Sequence, residues 1–148
     1  MTTPVCTRNQ IDPRGPRFGA TITSLVLIAA IVLISTPVGV VLVAWQTVVF
    51  GLGAFVGLHA QPYGALYRAL VQPRLPRPTH LEDAAGPRFA QGVGFLMLAL
   101  ALVSVLVGLT VVATVLLAFA LAAAFLNAAF GFCLGCEMRI IGLRVLSR

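Results

Sequence analysis

The chain has 148 residues, of which 59% are hydrophobic and 9% charged, against roughly a quarter charged in ordinary soluble domains. A mean hydropathy of +1.02 excludes intrinsic disorder, and three cysteines exclude a disulfide-stapled secreted scaffold. What remains is an all-α integral membrane protein, a single polytopic domain over residues 1–148 with no room for a separate catalytic domain.

All ten basic residues are arginines, in three groups: Arg8, Arg14 and Arg17; Arg68, Arg74, Arg77 and Arg88; Arg139, Arg144 and Arg148. The acids Asp12, Glu82, Asp83 and Glu137 lie in the same regions and leave a net charge of +6. Between Arg17 and Arg68 are 50 residues without formal charge, and between Arg88 and Glu137 are 48. As one helix either stretch would run about 75 Å, more than twice a hydrocarbon core of about 30 Å, so each must fold back once. The predicted helices span about 18–35, 37–58, 89–108 and 110–132. In the first turn, Ser35-Thr36-Pro37-Val38-Gly39, Thr36 caps and Pro37 opens the next helix. In the second, Gly108-Leu109-Thr110, Thr110 is the expected cap.

Two hairpins bring all three charged segments to one side, which the positive-inside rule assigns to the cytoplasm. The expectation is a multi-pass inner (plasma) membrane protein in the lipid bilayer, with both termini cytoplasmic. The first apolar stretch is too long for a signal-peptide core and has no convincing small-residue cleavage site, so it is expected to be retained.

The segment Asp12-Pro13-Arg14-Gly15-Pro16-Arg17-Phe18 recurs as Asp83-Ala84-Ala85-Gly86-Pro87-Arg88-Phe89, an identical D-x-x-G-P-R-F at an offset of 71. Gly53 and Gly57 near the end of the first hairpin read as counterparts of Gly131 and Gly135 in the second. The predicted architecture is therefore four transmembrane helices as two pseudo-repeated hairpins (2+2), related by an axis along the membrane normal. Repeat 1 covers about 12–58, an interfacial segment and connector about 59–82, repeat 2 about 83–136, and a basic tail 137–148. The glycine pairs, and Ala120, Ala124 and Ala128 at helical spacing, permit close helix contact. Between the halves, Tyr63 and Tyr67 are one turn apart in an interfacial segment where Arg68 snorkels, and the three prolines of Gln72–Pro78 make a stiff connector.

In the G-P-R-F motif, glycine allows the opening turn, proline fits the first helical turn and phenylalanine anchors in lipid. Arginine at a helix N-terminus opposes the macrodipole, so Arg17 and Arg88 need a negative partner. The candidates are lipid phosphate, Asp12 or Asp83, or one anion site shared by both arginines.

Cys133 and Cys136 form a C-x-x-C at the end of the last predicted membrane helix. Its readings are packing, a redox or sulfur-transfer dithiol, and soft-metal binding. A position near a helix C-terminus disfavours thiolate, and Arg139 would have to compensate. The potential metal ligands on that side are Cys6, Cys133, Cys136, His59, His80 and Glu137, without zinc-finger spacing, so no metal site is expected. Within the spans, Gln46, with Trp45 beside it nearer the outer face, and Asn127 are read as interhelical hydrogen-bonding residues. No span carries an ionisable group, which disfavours proton pumping. No motif implies a cofactor, and the basic charge reads as membrane topology rather than a nucleic-acid footprint.

Ile11–Phe18, Gln61-Pro62-Tyr63, Leu81-Glu82-Asp83, Gly86–Gln91 and Asn127–Glu137, over about residues 11–139, resemble a bacterial family of small membrane proteins of unknown function. The most specific parts are the two G-P-R-F segments and the ending Phe130-Gly131-Phe132-Cys133-Leu134-Gly135-Cys136-Glu137. The resemblance implies a genomic association with thioredoxin-like and sulfurtransferase proteins, and so favours a thiol or sulfur role for Cys133 and Cys136 over metal binding. The alternatives are a non-catalytic membrane subunit or scaffold, and a small anion or soft-metal transporter. Oligomeric state is not legible.

Overall fold

A computed structural model describes residues 10–148; Cys6 and Arg8 lie outside the described residues. Four helices are long and apolar enough to cross a membrane, at 19 to 22 residues each, close to the roughly 20 a bilayer core requires. α1 (Arg14–Val32) and α2 (Pro37–Gly51, prolonged by a π turn over Leu52–Val56) form the first hairpin. After a short helix α3 (Pro62–Leu66), α4 (Ala85–Leu106) and α5 (Thr110–Phe130) form the second, and α6 (Leu134–Leu146) follows it. The helices make a ring in which α1 packs on α2 and α5, and α4 packs on α2 and α5.

Both G-P-R-F segments lie inside the first turns of α1 and α4, so these helices begin about four residues earlier than predicted. The aspartate ahead of each holds the new helix: Asp12 Oδ1 accepts the Arg14 N–H and Asp83 Oδ1 the Ala85 N–H, each at 3.0 Å. A two-residue antiparallel bridge, Gln10 to Asp83 and Ile11 to Glu82, ties the two starts together. At the opposite end Thr36 caps α2 as expected, accepting from the Gly39 N–H at 3.2 Å. Thr110 does not cap α5: Leu109 occupies that position and Thr110 is the first helical residue.

The fully buried centre is Leu27, Val43, Leu98 and Leu117 with Ala30, Ala101 and Ala113. Large apolar side chains such as Leu25, Val111 and Phe119 stand exposed around the outside. That distribution suits a lipid solvent, where association rests on close packing rather than on removing apolar surface from water.

The charged end departs most from expectation. The segment after α2 is largely helical, running through α3, a second π turn (Tyr67–Val71) and a 3-10 turn (Gln72–Arg74). Tyr63 and Tyr67 are buried against the bundle, and Arg68 donates to the His59 carbonyl. The basic tail is the amphipathic helix α6, which packs on α4.

Candidate functional site

α5 ends where Gly131 adopts φ +66°, a left-handed conformation that glycine accepts without steric cost. After Phe132 the chain starts again, with Cys133 as the N-cap of α6 and its Sγ accepting the Cys136 N–H at 3.3 Å. The C-x-x-C therefore opens a helix instead of closing one. The expected dipole penalty on thiolate is reversed, because the N-terminus of α6 favours negative charge. Cys133 and Cys136 are joined as a disulfide with Cα atoms 5.2 Å apart.

Glycine contacts fix the pair against α4. A β-carbon at Gly86 would lie 3.1 Å from Cys136 Sγ, and one at Gly135 would meet the Ala90 backbone. Gly86 thus serves close approach to Cys136. In the first hairpin, a β-carbon at Gly15 would sit 3.4 Å from the Tyr67 ring.

Each motif arginine reaches the end of a helix in the other hairpin. Arg17 Nη2 donates to the Ala128 carbonyl at 3.4 Å. Arg88 donates from Nε to the Ala54 carbonyl at 2.9 Å and from Nη2 to the Phe55 carbonyl at 3.2 Å. The negative partner is thus the C-terminal end of a neighbouring helix running the opposite way, where terminal carbonyls lack intrahelical donors. Ala54 and Ala128 each precede a positive-φ glycine by three residues, Gly57 and Gly131. Gly57 therefore corresponds to Gly131, an offset of 74 in place of the 78 expected from the sequence.

Two cavities meet at Cys133. The smaller, about 230 Å³, is a cleft whose polar lining comes from Arg14, Arg17, His80, Glu82, Asn127, Cys133 and Cys136. Arg88 is not among its lining residues. The larger, about 490 Å³, enters the bundle beside Gly19, Gln91, Ala123 and Asn127 and reaches Thr23, about 13 Å along α1 from its start. Cys133 and Asn127 line both cavities.

Asp12 is also a hub. Arg14 Nε donates to Oδ1 at 3.1 Å and the Tyr67 hydroxyl to Oδ2 at 3.0 Å. Burial works against its ionisation, but the hydrogen bonds from Arg14 and Tyr67 outweigh it and hold the carboxyl below its ordinary value. Burial first, and then donation to Asp12, push the Tyr67 hydroxyl up.

Gln46 is fully buried, donates to Thr23 Oγ1 at 3.1 Å and accepts from the Tyr63 hydroxyl at 2.9 Å, while Trp45 Nε1 donates to Tyr63 at 3.0 Å. Trp45 and Gln46 are thereby both linked to α3. Asn127 makes no side-chain hydrogen bond among the described residues, where Gln61 instead donates to Gln91 at 3.1 Å. No cluster of three His, Cys, Asp or Glu suited to a metal ion occurs among the described residues.

Comparison with curated proteins gives no match, and comparison with solved structures gives none. The family described as a domain of unknown function (DUF4395) matches residues 11–144, nearly the whole chain, and the protein belongs to that family.

Proposed function

We propose that this is a multi-pass inner-membrane dithiol protein whose charged end faces the cytoplasm, and that Cys133 and Cys136 serve thiol redox or sulfur metabolism by exchange with a soluble thioredoxin-like or sulfurtransferase partner. The observation that carries this reading is the pair's position: disulfide-linked at the N-terminus of α6, in the smaller cleft beside Arg17. Helix dipole and guanidinium both favour thiolate, the form that attacks a disulfide or an electrophilic sulfur. The gathering of arginines at the same end supports the orientation. In a glutathione-reduced compartment, a disulfide is characteristically transient and catalytic.

Arg17 spends one N–H on Ala128, and its remaining donors bind the anionic group of a sulfur substrate or a lipid phosphate. Arg88, exposed on the other side of the bundle, binds lipid phosphate with the donors left over from Ala54 and Phe55. We also infer that the hairpins are repeats about an axis along the membrane normal. The reciprocal arginine contacts and the pairs Gly15 with Tyr67 and Gly86 with Cys136 support this.

The test is thiol-labelling mass spectrometry of the purified protein across a glutathione and dithiothreitol series. A reversible Cys133–Cys136 couple within about −220 to −320 mV is expected. Thiols that stay reduced and unlabelled throughout, or full cellular function with both cysteines changed to serine, would remove the dithiol from the mechanism.

A further inference from the structure

The 490 Å³ cavity on the other side of Cys133 differs in character from the smaller cleft. Its volume falls within the roughly 300–1,000 Å³ of small-molecule sites. Ala20, Phe50, Met97 and Ala123 supply mostly apolar walls, and the amides of Gln91 and Asn127 supply hydrogen-bonding groups. Phe119, which also lines it, is 64% exposed on the apolar flank of the bundle, so the cavity borders the lipid-facing surface. Cys133 lines this cavity and the smaller cleft, whereas Cys136 lines the cleft only.

An occupant must then be lipophilic enough to arrive from the bilayer, carry acceptors for one or two amide N–H groups, and lie against a cysteine that forms a disulfide. Forming that disulfide releases two electrons and two protons. A membrane-dissolved quinone meets each requirement through its apolar ring, two carbonyl oxygens and two-electron, two-proton chemistry. We propose that the larger cavity is a quinone site and that the Cys133–Cys136 dithiol reduces the quinone bound there. This rests on the dithiol reading above and names its electron acceptor.

The Cys133 thiolate adds to a ring carbon, forming a C–S bond and moving an electron pair onto the ring. The Cys136 thiolate attacks Cys133 Sγ, forming the S–S bond and breaking the C–S bond, and the ring leaves with the pair. The two thiol protons end on the two quinone oxygens, so two thiols and a quinone become a disulfide and a quinol. A soluble dithiol entering through the smaller cleft restores the pair and leaves as its own disulfide.

The experiment incubates the reduced full chain in detergent, without oxygen, with the short-chain quinone ubiquinone-1 or with the small soluble oxidant diamide. Ubiquinone-1 should yield one quinol per Cys133–Cys136 disulfide, and Cys136→Ser should accumulate a covalent quinone adduct on Cys133, visible as added mass. Ala123→Phe, which fills the cavity, and Gln91→Leu, which removes an amide that lines the larger cavity and not the cleft, should each slow the quinone reaction roughly tenfold or more while diamide still forms the disulfide. Disulfide formation with diamide but not ubiquinone-1, or quinone rates unchanged in both variants, overturns the quinone site and leaves the dithiol reading standing. Failure of both oxidants to form the disulfide overturns both.

Discussion

Gly135 rests directly on Ala90: a β-carbon added to the glycine would fall 2.5 Å from both Cα and Cβ of the alanine. This contact seats α6, and the dithiol at its start, against α4. Gly135→Ala should therefore cost about 1–3 kcal/mol through overpacking and loosen α6. In the same helix Gly142 has nothing within 4 Å, so Gly142→Ala should stabilise α6 by up to about 1 kcal/mol through helix propensity alone. Thermal unfolding in detergent, with protease sensitivity of the last 15 residues or so, would show the opposite signs.

The chain of Trp45, Tyr63, Gln46 and Thr23 links α3 to the middle of the bundle through hydrogen bonds of 2.9 to 3.1 Å. Tyr63→Phe leaves the fully buried Gln46 carbonyl and the indole N–H without their partner, a loss of about 1–3 kcal/mol. Trp45 is the sole tryptophan, so its emission reports the change directly. A shift in that emission together with a lower unfolding temperature is expected; an unchanged spectrum would mean that the indole bond does not form.

The contact between Tyr67 and Asp12 should fail at both ends of the pH scale. The folded-state pKa of Asp12 is depressed, so its contribution is present above the unfolded carboxylate value of about 3.9 and is lost as pH falls through the folded one. That of Tyr67 is raised, so its contribution is complete below about pH 10 and lost as pH rises through the folded value. Tyr67→Phe should flatten both limbs of the stability profile relative to wild type, measured by unfolding in detergent across pH.

Arg17 and Arg88 occupy the same place in their motifs, but only Arg17 shares a cleft with the cysteines. Arg17→Met should slow alkylation of the reduced thiols at neutral pH by roughly three- to fivefold, the effect of losing about 1 kcal/mol of thiolate stabilisation. Arg88→Met should leave that rate near wild type and lower thermal stability instead, because it frees the Ala54 and Phe55 carbonyls. Equal alkylation rates in both variants would remove Arg17 from the thiol environment.

The four apolar helices were legible because charge is costly in hydrocarbon. Two charge-free stretches of 50 and 48 residues leave little freedom about where the chain turns, and Thr36-Pro37 is a strong local signal. The break before Cys133 was not legible in the same way. Phe130 to Cys133 is as apolar as the helix before it, a thiol is an unusual N-cap, and only Gly131 marks the stop. The repeated arginines showed that a negative partner was needed. Identifying it requires knowing which helix ends at the same level on the next side of the ring, and one sequence does not encode that. Tyr63 and Tyr67 suit a membrane interface as well as they suit a buried position beside Gln46 and Asp12.

The crossing of Arg17 to Ala128 and of Arg88 to Ala54 makes the two halves of the chain depend on each other. A half-chain carrying one copy of the motif supplies the arginine that its partner's helix end needs and lacks the one that its own needs. Neither hairpin therefore completes its charged end alone, because the guanidinium that meets each helix end comes from the other half of the chain.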